Sequence, residues 1–187
     1  MGHLGPDGRP YQEEEQERLK RALFALNQEI GILPVSTLDL PTLREWHVRL
    51  CAEVERMQPG ILRTTDITFG SWYGTVPARI EKEIQTLLGA VREQTDAIDQ
   101  ALQDPDEQLP AVVELGCMLH VELIRIHPFA DGNGRIARVA QSWAHRRFGL
   151  NLVSFPERTA YLAALNRALY TKQLEPLKTL TLLNSMQ

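Results

Sequence analysis

The chain has 187 residues, 43% hydrophobic and 24% charged, with 20 basic side chains against 24 acidic ones for a net charge of −4. Such a chain can bury an ordinary core without disulfide or metal staples, and the composition excludes a disordered or fibrous protein. The acidic balance (pI ≈ 5.8) argues against coating nucleic acid or anionic membrane, and the two distant cysteines, Cys51 and Cys117, suit a reducing, cytoplasmic compartment.

Residues 1–10 carry three Gly and two Pro, have no apolar core for a secretory signal, and read as a loose tail. Pro6 stands where a myristoylation signal wants Ser or Thr. From Tyr11 to Ile30 the spacing of Leu19, Leu23, Leu26 and Ile30 predicts a helix, with acids at Glu13–Glu15 suiting its positive end. A second helix is expected over Leu40–Met57, with Leu43, Trp46 or His47, Leu50 and Val54 inward. Thr64–Val76 reads as a short hairpin with an aromatic tip at Trp72-Tyr73.

A long helix is expected from Pro77 to about Leu102, burying Ile80, Ile84, Leu87, Leu88 and Val91. Asp104–Pro110 reads as a turn and helix start, leading into a helix that buries Val112, Leu115, Leu119, Leu123 and Ile126 and ends at His127-Pro128. The next helix starts near Asn133, turns Ile136, Val139, Ala140, Trp143 and Ala144 inward, and closes at Gly149. Ser154-Phe-Pro-Glu157 predicts a capping box for a helix through Tyr170, and Leu174, Leu177, Leu180 and Leu183 mark a last one. No stretch approaches the ~20 apolar residues of a membrane helix. The expected fold is mainly α with one short β-hairpin.

One segment has no structural excuse: His127-Pro-Phe-Ala-Asp131-Gly-Asn-Gly-Arg135-Ile-Ala-Arg138. Two glycines flank Asn133 where a helix begins, and the first amides of a helix are unpaired donors at the positive end of its dipole. That is an anion site, and Arg135 and Arg138, three apart, project from the same side of the first turn. Between residues 125 and 147 five arginines (125, 135, 138, 146, 147) face a single acid, Asp131. Such a patch on an acidic protein suits a compact polyphosphate. A lone carboxylate among phosphate-binding groups suits Mg²⁺, and His127 is the group fitted to take a proton from an attacking hydroxyl. The local reading is transfer of a phosphate-containing group to an alcohol.

The segment matches, at eight specified positions in order, the signature His-x-Phe-x-Asp/Glu-Gly-Asn-Gly-Arg-x-x-Arg, and so resembles the Fic (filamentation induced by cAMP) family in its adenylyl-transferring form. The likeness extends less specifically over residues 38–183, leaving residues 1–37 an unassigned extension before a Fic-like domain over 38–187. The resemblance implies a helical bundle with a hairpin flap, and transfer of AMP from ATP to a Ser, Thr or Tyr hydroxyl of a target protein. It makes His127 the general base, Asp131 the Mg²⁺ ligand, and the amides of Gly132–Gly134 with the Asn133 side chain the hole for the α-phosphate. Arg135 and Arg138 would clamp the outer phosphates, and Phe129 would pack beneath the loop. The flap residues Ile67, Thr68, Phe69, Trp72 and Tyr73 would hold a target segment by main-chain pairing. No nucleic-acid or membrane partner is expected, and delivery into a host cell stays open.

Many such proteins carry an inhibitory Ser/Thr-x-x-x-Glu-Gly/Asn helix. Here only Thr171…Glu175 has the spacing, and Pro176 follows it, so a turn is the expected reading. The restraint would then come from an antitoxin-like partner, from residues 11–30, or not at all. The pattern Gly132-x-Gly134-x-x-Ala137 also fits a dinucleotide site, but that needs a preceding strand and βαβ units the sequence lacks. Transfer of UMP, phosphocholine or phosphate, removal of AMP, or a silent nucleotide-binding module are the alternatives. His120 could face the site but reads more readily as a packed helix-flank residue; His47 and His145 read as structural or surface residues, Cys117 as packed, and Trp46 and Trp143 as core.

Overall fold

A computed structural model of the chain describes residues 4–32, 36–101 and 105–185. Helix α1 (Glu13–Ile32) opens where the Glu15 carboxylate accepts the Gln12 amide at 2.8 Å, the reciprocal half of a capping box, and it buries Leu19, Leu26 and Ile30. Helix α2 (Leu40–Cys51) is capped by Asp39, whose side chain accepts from the Thr42 amide at 2.8 Å, with Pro41 in the first turn. It is shorter than expected. After Cys51 the chain turns, makes one 3₁₀ turn at Glu55–Met57, and sinks Val54 and Met57 into the core.

Strands β1 (Thr68–Phe69) and β2 (Trp72–Tyr73) pair antiparallel, Thr68 opposite Tyr73 and Phe69 opposite Trp72. Their two-residue turn places Gly70 at φ 59°, a value glycine meets at little cost. Helix α3 (Pro77–Ala101) buries the predicted stripe; Leu102 and Asp104 lie outside the described residues. Helix α4 (Pro105–Ile126) runs straight through Pro110, where a turn was expected. Pro110 forfeits one ladder bond, and the burial of the following turns offsets it.

Helix α5 (Asn133–Arg147) ends in a Schellman arrangement, the Leu150 amide donating to His145 O and the Gly149 amide to Arg146 O, with Gly149 at φ 79°. Helix α6 (Arg158–Thr171) starts later than predicted, because Phe155 is drawn down to stack on Tyr161 (4.8 Å) and Glu157 makes no side-chain cap. Helix α7 (Glu175–Ser185) turns Leu177 and Thr181 inward and leaves Leu183 exposed, a rotation of the predicted face that lets the Thr181 hydroxyl accept from buried Gln141 at 3.1 Å. Glu175 starts this helix instead of lying in a turn, and its carboxylate pairs with Lys178 at 2.8 Å.

Helix α4 is the central element, with α3, α5, α6 and α7 packed around it, while α1 lies on α2 and α5. Val113, Cys117, Val121 and Ile124 are buried as well as the predicted stripe, so α4 is enclosed on nearly every side. No helix among the described residues is long and apolar enough to cross a membrane. The described residues therefore form a mainly α bundle carrying one short hairpin.

His47, His120 and His145 are fully buried. Burial lowers them to about 4, 3 and 4, from an ordinary 6.5. The unfolded chain takes up these protons below pH 6.5 while the folded chain does not, so the stability they contribute is complete at pH 7 and declines as pH falls toward 4. Each site removes about 1.4 kcal/mol per pH unit across that window. Thermal melts should show the midpoint falling steadily from pH 7 to pH 5; an unchanged midpoint would show that these rings are protonated inside the folded protein.

Candidate active site

The segment joining α4 to α5 is six residues long, 127 to 132, and reverses the chain. His127 takes φ 52°, in the left-handed region a residue other than glycine enters at a cost of about 1–3 kcal/mol. Gly132 takes φ 79° as the N-cap of α5, and a Cβ there would press on His47 Nε2 at 3.1 Å and Met57 Cε at 3.2 Å. Between them the Asn133 side chain closes on the backbone of Phe129: the Phe129 amide donates to its Oδ1 and its Nδ2 donates to Phe129 O, both at 2.9 Å. The Asn133 side chain, expected at the anion hole, is thus the latch of the loop. Both its polar atoms are engaged in the loop and the residue is 3% exposed.

Buried Phe129 stacks face to face on His47 at 3.8 Å. His47 in turn donates from Nε2 to Asp131 O at 3.0 Å and accepts the Gly60 amide on Nδ1 at 2.9 Å. Sequence reading placed His47 as structural or surface; it is a buried prop of the loop.

His127 Nδ1 lies 3.1 Å from the Ile124 carbonyl, which only accepts, so Nδ1 carries the proton and Nε2 holds the lone pair. The ring is stacked against Phe69 of the hairpin at 4.0 Å. Burial lowers its pKa to about 4, opposed by the Ile124 contact and aided by the Arg63 cation. The His127 imidazole is therefore neutral at physiological pH.

Arg63 was not singled out in the sequence. It is 4% exposed, and its guanidinium donates to four carbonyls: His127 (2.6 Å), Thr65 (2.7 Å), Ile126 (3.2 Å) and Thr75. Both roots of the hairpin are tied by one side chain to the end of α4 and to His127. Gly74 is required beside it, since a Cβ there would meet Arg63 Nη2 at 2.6 Å and His127 Cβ at 3.2 Å. The only sequence signal was an arginine just before the hairpin.

A cavity of about 660 Å³ opens over the start of α5, a size suited to a small-molecule ligand. His127, Asp131, the Gly132–Gly134 backbone, Arg135 and Arg138 line one side; Phe155, Tyr161 and Leu165 form an apolar wall. Gly134 would place a Cβ in open space, so its bareness leaves room at the amides. Arg138 lies over the Tyr161 ring at 5.8 Å from its centroid, and the Tyr161 hydroxyl donates to His120 at 2.9 Å, with His120 Nδ1 donating to Gln141 at 2.7 Å. His120 thus braces the wall from behind.

The expected cluster of five arginines does not form. Arg125 pairs with Glu83 and Glu122, Arg147 with Asp99, and Arg146 donates to the carbonyls of Gly31 and Leu150. Arg158, from the start of α6, joins Arg135 and Arg138 at the cavity instead, and α1 adds Leu23 and Asn27 to the wall. The lone carboxylate, Asp131, accepts the Gly132 amide on Oδ1 and the Tyr11 hydroxyl on Oδ2 at 2.6 Å. Burial and that carboxylate push the Tyr11 phenol up, so it remains a donor.

The hairpin crosses to α6. Trp72 packs on Tyr170 at 4.3 Å and its indole N–H points at Asn166 Oδ1 at 3.4 Å, while the Ser71 and Tyr170 hydroxyls meet at 3.1 Å. Of the predicted flap residues, Phe69 reaches the cavity, Ile67 O accepts the Gly74 amide at the hairpin base, Thr68 is exposed, and Tyr73 is 81% exposed.

A family model described as the Fic/DOC family matches residues 37–144. The chain belongs to the Fic/DOC family. This Fic chain is 26% identical over 152 residues to a protein adenylyltransferase Fic of Nematostella vectensis, a match covering 80% of this chain and 33% of that protein. It thus spans about a third of that relative. A stretch of 38 residues, 20% of this chain and 7% of the other, is 50% identical to a uridine 5′-monophosphate transferase of Xanthomonas campestris. Among solved structures, the BepC effector of Bartonella tribocorum, crystallised with AMPPNP, shares the fold with a TM-score of 0.69 at 18% identity, covering 97% of this chain and 90% of that one.

Two outcomes follow from this geometry. Arg63→Met takes a donor from four carbonyls, of which Ile126 O keeps the Thr75 amide, and should cost about 2–4 kcal/mol of stability, with the hairpin becoming a site of limited proteolysis near Tyr73. Equal proteolysis and melting of variant and parent would contradict the clamp. Because His127 is already neutral, kcat/KM should stay flat from pH 8 to 6, where a histidine at its usual 6.5 would lose about three quarters of its base form. A fall of that size over this range would contradict the lowered pKa.

Proposed function

We propose that this Fic/DOC chain is a protein adenylyltransferase that moves AMP from ATP to a hydroxyl side chain of a target protein. The observation that carries the reading is the placement of an unprotonated Nε2 on His127 in the same cavity as the exposed amide end of α5 and the guanidinium groups of Arg135 and Arg138. The triphosphate lies with its α-phosphate at the amides of Asn133 and Gly134, beside Gly132, and its outer phosphates toward Arg135 and Arg138. Nε2 takes the proton of the incoming hydroxyl, the hydroxyl oxygen bonds to the α-phosphorus, and the bond to the bridging oxygen breaks to release pyrophosphate. Arg158 adds a third cation to the cavity. The apolar wall of Phe155, Tyr161 and Leu165 is the surface offered to the nucleoside.

Mg²⁺ fits this donor set. No group of three or more His, Cys, Asp or Glu that could cage a metal exists among the described residues, while one hard carboxylate, Asp131, stands at the phosphate site. That is the arrangement expected of an ion that takes most of its ligands from water and phosphate and, once bound, offsets the charge gathering on the triphosphate.

The exposed edge around Thr68 is the strand a target segment would pair with, and Tyr73, opposite Thr68, is exposed beside it to meet that segment. An inhibitory partner would have to engage Arg138 in a cavity already walled on one side by Leu23 and Asn27. A reducing cytoplasm suits the two buried free cysteines. The local likeness to a uridine 5′-monophosphate transferase favours one second reading, in which the same phosphate machinery carries UMP.

Mass spectrometry of the chain and candidate targets after incubation with MgATP, and separately with MgUTP, should show a gain of one adenylyl unit on a hydroxyl residue. A uridylyl gain alone selects the second reading; no gain with either nucleotide removes both. His127→Ala should lower transfer by at least ~10²-fold with ATP affinity retained, whereas Arg138→Ala should weaken ATP binding itself. Near-normal transfer by the first variant would end the base assignment.

A further inference from the structure

Residues 4–10, part of the stretch expected to be a loose tail, form an ordered loop that leads into the site. Leu4 bridges to Pro10 in antiparallel fashion, the Gly5 amide donates to Arg9 O at 2.8 Å, and the Gly8 amide donates to Gly5 O at 2.9 Å. This small loop is fastened by Arg56, only 17% exposed in its side chain, which pairs with Asp7 and Glu15 at 2.7 Å each and donates to the carbonyls of Arg9 and Pro10. The same guanidinium lies over the Tyr11 ring, 4.3 Å from its centroid. Tyr11 is 7% exposed, and its hydroxyl donates to Asp131 Oδ2 at 2.6 Å, across 120 residues of sequence.

We infer that Tyr11 is a positioning residue for the metal-ligating carboxylate: it fixes the Asp131 side chain in the orientation that receives the divalent cation arriving with the triphosphate. The inference rests on the reading of Asp131 as the Mg²⁺ ligand. A carboxylate on a short side chain has two rotatable bonds, and one that binds a cation weakly exposed to water must be ordered before it can contribute. The Gly132 amide holds one oxygen from within the loop, and Tyr11 holds the other from outside it. An ionised carboxylate has about four acceptor sites, so a bond to each oxygen orients the group without exhausting it. Outer hydrogen bonds of this kind change metal affinity by about 10–100-fold when they are removed. The network of Arg56, Asp7 and Glu15 then has a purpose beyond tidying a terminus: it holds the phenol rigidly at the distance the carboxylate needs.

The test uses the full chain and reads binding, not turnover. Calorimetric titration of ATP in EDTA and across a Mg²⁺ series would be made for the parent, Tyr11→Phe, Arg56→Met and Asp131→Asn. Tyr11→Phe, which keeps the ring and the Arg56 contact, should raise the Mg²⁺ concentration needed by about 10-fold and leave ATP affinity in EDTA within two-fold. Arg56→Met, which keeps the hydroxyl but unfastens its mount, should shift the Mg²⁺ dependence in the same direction. Asp131→Asn should lose the Mg²⁺ dependence. If Asp131→Asn loses it but Tyr11→Phe keeps the parent's Mg²⁺ dependence, tightens it, or weakens ATP equally in EDTA, the positioning role is overturned. If Asp131→Asn behaves as the parent, the carboxylate's metal role fails first, and the inference falls with it.

Discussion

Everything at the site depends on a chain reversal completed between Ile126 and Asn133, and the paired hydrogen bonds between the Asn133 amide and the Phe129 backbone hold that reversal shut. They let the last turn of α4 and the first turn of α5 meet at a corner. One helix delivers His127 to the corner and the other presents its unpaired amides there. A looser connection would separate His127 from the amide end of α5. The left-handed backbone at His127 is a cost of 1–3 kcal/mol or so that only an over-determined corner can carry.

That over-determination is supplied from outside the loop. Phe129 is sandwiched on His47, Gly132 is pressed between His47 and Met57, and the His127 carbonyl is gripped by Arg63. The Arg63 guanidinium is satisfied by main-chain oxygens, so its contribution is the geometric coupling of hairpin and loop. The hairpin is held at its root by Arg63 and at its tip by Tyr170, which makes it a bridge over the cavity.

Electrostatics at the cavity are sorted by pairing. Three of the five arginines near the motif are engaged elsewhere, with Glu83, Glu122, Asp99 or main-chain carbonyls, and the cations at the cavity are Arg135, Arg138 and, from a distant helix, Arg158. The amino-terminal segment reaches the same point from the other direction, carrying a phenol to the carboxylate. Residues at both extremes of the family-matched region and beyond it therefore converge on one corner.

Local pattern alone determined much of this. Apolar spacing located the helices and most of their inward faces, because a helix must bury a stripe that its own sequence dictates. The run from His127 to Arg138 marked the corner where one helix gives way to the next, because a helix start rich in glycine exposes amides whatever surrounds it. Where the reading failed, the deciding partner lay far away in sequence. The latch of Asn133 on Phe129 went unread because that bond exists only in the folded corner; α6 started late because Phe155 found Tyr161; α7 rotated so that Thr181 could serve Gln141. Arg63, Tyr11 and Arg158 were silent for the same reason. A side chain whose role is to meet a carbonyl, a carboxylate or a cavity contributed by another element carries no periodicity, and only packing in three dimensions assigns it.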